Sequence, residues 1–480
     1  MTADWRDPES KWRNILLGVA KRRSDEKNHE NVLVLYGHPK KRFAVSEGRY
    51  RSLRSWLVSS SSEVSFNLKR TKLTFMTRYS AAWIVPIVSP PIQNGWVEID
   101  KQFVTSLGGP NDEPCKPTTR QVYLDEAIIL PSLVNAHTHL ELSGLRGRVK
   151  PARSMPAWVR QVFKETSSVG FDEGEVVNAI SEVYASGTGL VGDITNTLSS
   201  VTPLIESLVD AVVFKELLGF NEVDPESLVA RELAEISELN LTAGHFGISP
   251  GMTVRLAAHA PYSVSPALFG AIQNMSGKGP LAVHVAESSD ELSFLKLGTG
   301  PWRELLNELG KWDPSWEPPG TGPVAYLESL GWLTADSLIV HGVHLTDLEL
   351  RRLALTGATL VTCPRSNQWT GAGAPPIDRF YEAGVSIAVG TDSLASTPDL
   401  NMFSELAEMR RLCPSEPAAS FLRSATLTGA KALGWSRRGG IAEGMQASLI
   451  AVQCVSQVDD VEEYLVTGIK PKDINWLNEV

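Results

Sequence analysis

Short apolar runs alternate with longer segments of helical spacing over most of the chain after residue 127. Eight such runs occur, at residues 128–136, 189–194, 211–217, 255–259, 281–286, 337–341, 358–363 and 385–390. Runs that are apolar throughout are typical of parallel strands buried on both faces, so the pattern predicts an α/β fold with a (β/α)₈ TIM barrel. A doubly wound open sheet is the structural alternative, although it does not normally need eight such units.

The two flanks of this alternation have the pattern of β-strands instead. Residues 81–85 and 96–99 are strand-like, and Asn94-Gly95 between them is a hairpin signal. Residues 447–453 predict another strand near the C-terminus. We therefore expect residues 76–127 and 436–480 to combine in a small β-sandwich beside a barrel formed by residues 128–435.

Composition and charge separate the first 75 residues from the rest. The chain has 480 residues, 42% of them hydrophobic, which is enough for a barrel with additions. Residues 1–75 hold 16 basic and 8 acidic residues, so the remainder carries a charge of −18 within the net −10 of the whole chain. This basic, serine-rich start shows no sustained period and predicts a disordered or loosely attached extension. The alternative is that the ordered protein starts at Met76.

The net negative charge and the few cysteines argue against nucleic-acid binding, a disulfide framework and a thiolate metal site. A net charge of −10 does not favour nucleic acid as a partner. Four cysteines without a C-x-x-C pair argue against a disulfide framework and a thiolate metal site. Since no segment resembles a signal peptide or a membrane span, we expect a cytoplasmic protein that acts on a small molecule. The sequence leaves open whether the protein forms a homo-oligomer.

Histidines and one aspartate stand where barrel enzymes place their chemistry. His137 and His139 end the first run, and because residues two apart in a strand point the same way, both imidazoles can reach one ion. His284, His341 and Asp392 lie at the ends of runs five, six and eight. Three imidazoles and one carboxylate suit Zn²⁺ or Fe²⁺, with a water completing the coordination sphere.

Five segments resemble a known family: Asn135-Ala136-His137-Thr138-His139, His284-x-x-Glu287, His341-Gly342-x-His344-Leu345, Cys363-Pro364-Arg365-Ser366-Asn367 and Gly390-Thr391-Asp392-Ser393. With them, residues 79–453 resemble the amidohydrolase superfamily, in the branch of chlorohydrolases and aminohydrolases that act on nitrogen heterocycles. The resemblance implies one metal ion, because the region of His259 has no lysine where binuclear members carry a carboxylated one. Glu141 after the His-x-His pair is also similar to aminodeoxyfutalosine deaminases.

The resemblance implies a role for each matching residue. The metal ligands are His137, His139, His284 and Asp392, and the ion is zinc, with iron as the alternative. The catalytic groups are Glu287, which protonates a ring nitrogen, His341, which positions the attacking water, and Asp392, which accepts a proton from it. Candidate substrate contacts are Glu141, Arg146, His259, Arg365 and Asn367.

These residues predict a metal-dependent hydrolase that acts on a carbon–nitrogen bond. Hydrolytic deamination of a purine-like heterocycle by metal-bound hydroxide is the first hypothesis. Dechlorination, or hydrolysis of an amide or N-alkyl group at the same site, is the second. A non-catalytic, metal-binding regulatory protein is the third, although the complete set of ligands and acid speaks against it.

Overall fold

The computed structural model describes residues 32–37, 41–46, 76–112, 119–245, 251–454 and 458–477. The chain divides into two units, one of residues 12–74 and one that includes residues 75–480. In the first unit, strands β1 (Val32–Gly37) and β2 (Lys41–Ser46) pair in antiparallel fashion. The rest of the extension over residues 1–75 lies outside the described residues, so its disorder stays a prediction.

A seven-stranded sheet of the second unit contains strands from both flanks of the alternating region. Its strands are β3 (Thr77–Ile84), β4 (Ile92–Gln93), β5 (Trp96–Asp100), β6 (Phe103–Gly108), β7 (Arg120–Pro131), β16 (Leu449–Gln453) and β17 (Ile474–Trp476). Their order is β17-β16-β7-β3-β5-β6, with β4 paired to β3. β3 and β7 run parallel, whereas β16 pairs with β7 in antiparallel fashion. The C-terminal segment thus extends the N-terminal sheet.

Eight further strands form two four-stranded parallel sheets. They are β8 (Leu133–Thr138), β9 (Thr188–Thr195), β10 (Asp210–Leu217), β11 (Met252–Ala258), β12 (Leu281–Val285), β13 (Ser337–His341), β14 (Thr359–Thr362) and β15 (Ser386–Val389). The sheet orders are β11-β10-β9-β8 and β12-β13-β14-β15. Backbone contacts join the sheets at their outer strands. The His284 amide donates to the His259 carbonyl at 2.9 Å, and Thr138 and Asp392 form a parallel bridge.

The first predicted run, 128–136, is divided between two strands of different sheets. β7 ends at Pro131 and β8 begins at Leu133, and the Ser132 amide donates to the Ser448 carbonyl at 2.8 Å. Proline has no amide hydrogen and commonly marks the end of sheet pairing. The apolar composition alone conceals this change of sheet.

Helices follow most of the parallel strands and cover their outer face. The α-helices of the second unit are Met155–Val169, Glu173–Ala185, Val201–Ile205, Pro225–His245, Pro266–Met275, Ser289–Leu297, Pro301–Glu308, Pro323–Ser329, Asp347–Thr356, Pro364–Thr370, Ile377–Glu382, Met402–Leu412, Ala418–Arg423, Gly429–Ala432 and Val461–Leu465. A 3₁₀ helix, Leu140–Leu145, follows β8, and a π-helical turn, Ser424–Thr428, precedes Gly429–Ala432. In the described part of the chain, no helix combines the length and apolarity that crossing a membrane requires.

One row of side chains from the parallel strands lies in a buried cluster that is separate from the main core. Phe214, Ala257 and Ala282 belong to this cluster. Because side chains two residues apart point to the same side of a strand, the row continues toward the carboxyl ends of the strands with Glu216, His259 and His284. The parallel strands therefore direct polar groups from several elements toward one place.

Candidate metal centre

Three imidazoles meet at the carboxyl ends of β8 and β12. One ring nitrogen from each of His137, His139 and His284 lies within 4.8 Å of the other two. His137 is 1% exposed, and both of its ring nitrogens are buried and have no hydrogen-bond partner among the described residues. A buried imidazole without a partner is costly unless another group, such as an ion, satisfies it.

Asp392 completes the cluster from the end of β15. Its Oδ1 lies 3.9 Å from His137 Nε2 and 3.7 Å from His139 Nε2. Its Oδ2 accepts hydrogen bonds from Ser366 Oγ at 2.5 Å and Ser396 Oγ at 3.1 Å. The two serines fix the carboxylate and leave Oδ1 directed at the imidazoles.

The protonation states of the cluster suit a metal ion. Burial lowers the pKa of both His139 and His284 to about 4, and it holds the pKa of His137 well below its ordinary value. Neutral imidazole is the form that binds metals. His284 Nδ1 donates to the His259 carbonyl at 2.8 Å, which leaves Nε2 free to act as a ligand. Together with Oδ1 of Asp392, these residues fit a divalent ion bound by nitrogen and oxygen.

Glu287 and His341 form a buried pair next to the cluster. Glu287 Oε2 lies 3.4 Å from His341 Nε2, and the two residues are 2% and 1% exposed. Burial, followed by the negative charge of Asp392, raises the pKa of Glu287 well above its ordinary value. His341 Nδ1 accepts a hydrogen bond from Asn367 Nδ2 at 2.9 Å, so Nε2 carries the proton of the neutral ring. The pair therefore offers a neutral carboxyl group that can give a proton.

Three residues at the ends of site strands have a left-handed backbone. The φ angles are +51° at Ala286, +76° at His341 and +62° at Asp392. Such conformations are uncommon for residues other than glycine and cost on the order of 1–3 kcal/mol each. Glu291 Oε1 accepts from the Ala286 amide at 2.8 Å and so holds the turn that carries Glu287.

Some of the predicted substrate contacts lie at the metal cluster, whereas others pair with residues of the chain. The His259 ring lies 5.2 Å from the His284 ring, and Asn367 contacts His341. Arg365 pairs with Glu405 at 2.7 Å and with Asp399 at 2.9 Å.

Glu141 and Arg146 are also engaged by other groups of the chain. Glu141 accepts hydrogen bonds from the Thr195 hydroxyl at 2.7 Å and the Asn196 amide at 2.8 Å. Arg146, whose side chain is 42% exposed, pairs with Glu182. Both therefore have internal partners in this structure.

Glu216 at the end of β10 is a site residue that the sequence motifs did not reveal. Its Oε1 lies 3.4 Å from His284 Nδ1, and the residue is 5% exposed. Burial first, with charge repulsion from Glu141 and Asp392, raises the pKa of Glu216 to about 8. The available signal was the alternation along β10, which places Glu216 in the same row as Phe214.

Comparisons with known proteins show which proteins this chain resembles. The amidohydrolase family model matches residues 128–470. An aminodeoxyfutalosine deaminase of Deinococcus radiodurans is 31% identical over 332 residues, which cover 64% of this chain and 74% of that protein. A 5-methylthioadenosine/S-adenosylhomocysteine deaminase of Nitratidesulfovibrio vulgaris is 29% identical over 343 residues, with coverage of 69% and 72%. The structure of Helicobacter pylori aminofutalosine deaminase in complex with methylthio-coformycin gives a TM-score of 0.71 at 25% identity, and covers 81% of this chain and 95% of that one.

Proposed function

This chain belongs to the amidohydrolase family, and we propose that it catalyses the hydrolytic deamination of a purine-like heterocycle bearing an amino group. The observation that carries the proposal is the buried Glu287–His341 pair beside the cluster of His137, His139, His284 and Asp392. The deaminases among the relatives support the same reaction.

We propose that the two parallel sheets close into a single (β/α)₈ barrel. The backbone contacts between β11 and β12 and between β15 and β8 support closure at both seams. We also propose that residues 128–435 form this barrel and that the sheet shared by residues 76–127 and 436–480 is part of a β-sandwich. The cytoplasmic location and the oligomeric state stay predictions from the sequence.

We propose His137, His139, His284 and Asp392 as the ligands of one divalent ion. Zinc is the first candidate because three imidazoles and one carboxylate match its preferred ligands, and iron is the alternative. When bound, such an ion lowers the pKa of a coordinated water and so supplies a nucleophile near neutral pH.

The residues of this chain account for the proton movements that deamination requires. Water adds to the ring carbon that bears the amino group, and Asp392 accepts a proton from that water. Glu287 gives its proton to the adjacent ring nitrogen, so that the carbon becomes tetrahedral without a full charge on the ring. His341 Nε2–H hydrogen-bonds the added oxygen. Asp392 then gives the proton that it took from water to the amino group, and ionised Glu287 accepts the proton of the added hydroxyl as the carbon–oxygen double bond forms. The carbon–nitrogen bond breaks, ammonia leaves, and the ring nitrogen keeps the proton that it received.

An assay of several leaving groups tests this proposal. We expect the purified, metal-loaded protein to release ammonia from nucleosides with an amino-substituted purine ring. Chlorinated and N-alkylated triazines in the same panel should react at least about tenfold more slowly. Faster release of chloride or alkylamine would favour the second hypothesis. Stoichiometric metal without turnover of any compound would favour a regulatory protein.

A further inference from the structure

Glu216 has a buried oxygen without a partner beside a proposed metal ligand. Among the described residues, no donor forms a hydrogen bond with its Oε1, whereas its Oε2 accepts from Asn196 Nδ2 at 3.0 Å. Nearly all buried polar atoms in proteins have a partner, so an exception at a site requires an explanation. The hydrogen bond from Asn196 fixes the carboxyl group of Glu216 through Oε2. Oε1 stays available to a ligand, in the row of side chains that includes His284.

Neither orientation of His284 nor a second metal ion explains why Glu216 Oε1 has no hydrogen-bond partner among the described residues. His284 Nδ1 gives its hydrogen to the His259 carbonyl at 2.8 Å, which is shorter than its 3.4 Å separation from Glu216. The backbone carbonyl of His259 therefore already orients the His284 ring, and Glu216 is not needed for this purpose. A second ion between Glu216, His259 and His284 would need a lone pair on His284 Nδ1, but this nitrogen carries the proton that it donates to the His259 carbonyl.

The other charged candidates for substrate binding have partners of their own. Glu141 accepts bonds from the loop after β9, and Arg146 and Arg365 pair with carboxylates. Glu216 is therefore the charged residue of the inward row that retains a free atom among the described residues. His259 lies in the next position of that row, with Nδ1 bonded to Ser263 Oγ at 2.5 Å.

We propose that Glu216 binds a hydroxyl group on the sugar-like substituent of the substrate, with the amino-bearing ring at Glu287 and His341. A hydroxyl both donates and accepts, so it can pair with Glu216 whether the carboxyl group is ionised or neutral. The inference rests on the proposed function and specifies its substrate class as nucleosides rather than free bases. A substrate without the hydroxyl would leave Glu216 buried and unpaired, which is the situation that gives strong discrimination.

The test combines variants of Glu216 with the removal of substrate hydroxyls. Wild type, Glu216→Gln and Glu216→Ala are assayed for ammonia release with adenosine and 5-methylthioadenosine, and with the dideoxy counterparts that lack both sugar hydroxyls. Glu216→Gln keeps the side-chain volume in case the alanine variant fails to fold, and the surface variant Glu308→Gln is the matched control. The zinc content of each protein is measured alongside.

We expect Glu216→Ala to lower kcat/KM for the nucleosides by about 10–100-fold, because the substrate hydroxyl would be left without its buried hydrogen-bond partner. The dideoxy compounds should lose less than about threefold, with zinc unchanged. An equal loss of kcat/KM for nucleosides and dideoxy compounds, or a loss of zinc, would overturn the inference about Glu216. The proposed deamination reaction would not be affected by that result. Wild-type protein that releases ammonia from free bases but not from nucleosides would overturn it as well. No ammonia from any compound would instead defeat the proposed function on which it rests.

Discussion

Glu287 and His341 are held together as neutral groups by their burial. Burial raises the pKa of Glu287 and lowers the pKa of His341, so each favours its uncharged form. A carboxyl group that keeps its proton near neutral pH can act as an acid, which an exposed glutamate cannot do efficiently. Burial thereby converts a common residue into a proton donor.

Replacement of Glu287 by glutamine should separate chemistry from metal binding. The amide side chain would keep the shape of the glutamate but would have no acidic proton, so kcat should fall by roughly 10²–10⁴-fold. Zinc content should stay the same, because Glu287 is not among the proposed ligands. Ammonia-release kinetics and metal analysis check both points, with Glu308→Gln as the surface control. A variant that keeps wild-type kcat would refute the role of Glu287 as the acid.

Individual site residues differ in how well the sequence reveals them. His137, His139, His284 and Asp392 could be recognised because polar residues at the ends of apolar strands are unusual. The internal partners of Glu141, Arg146 and Arg365 could not, since they lie 34 to 56 positions away along the chain. A single glutamate such as Glu216 in an apolar strand carries no motif, and only the alternation of the strand indicates its direction.

At the scale of elements, the ends of β12, β13 and β15 share a left-handed turn. Ala286, His341 and Asp392 adopt these turns without the freedom of glycine. The carboxyl group of Glu291, fully buried in the next helix, binds the Ala286 amide and offsets part of the cost. These turns direct side chains from three strands to one point. They could not be predicted from the sequence, because no motif there marks such backbone angles and none of the three residues is a glycine.

Close packing between β15 and β8 should make Gly390 essential for the metal centre. A Cβ at Gly390 would lie 2.7 Å from the His137 carbonyl oxygen and 2.8 Å from the His137 Cβ. We therefore expect Gly390→Ala to lower the free energy of unfolding by about 1–3 kcal/mol and to weaken zinc binding. Denaturant unfolding and zinc titration provide the measurements.

Gly270 offers the matched control for this substitution. It lies within the helix Pro266–Met275, and a Cβ there would meet no atom within 4 Å. Gly270→Ala should therefore stabilise the protein by up to about 1 kcal/mol and leave zinc binding unchanged, since alanine has the higher helix propensity. If Gly390→Ala behaved like Gly270→Ala, β15 would not be the constraint on His137.

At the scale of the whole molecule, the proposed ligands come from opposite ends of the parallel region. His137 lies near the end of the first of its strands, and Asp392 follows the last, 255 positions later. Asp392 N donates to the His137 carbonyl at 3.0 Å. The βα alternation predicted the strands and their common direction. It did not predict the division at Pro131, because β7 and β8 are equally apolar where they meet. The sequence indicated that the C-terminal strand joins those of the N-terminal flank, but not that β7 is the partner of β16. Such pairing depends on contacts between residues far apart in the sequence.

Removal and restoration of the metal test the central claim most directly. Ammonia release from the best nucleoside is measured on the protein as purified, after chelation with zinc loss verified by elemental analysis, and after zinc is returned. The account predicts that the rate falls to background on chelation and recovers with about one equivalent of zinc per chain, as a single site of three imidazoles and one carboxylate requires. Undiminished ammonia release from protein shown to be metal-free would contradict it.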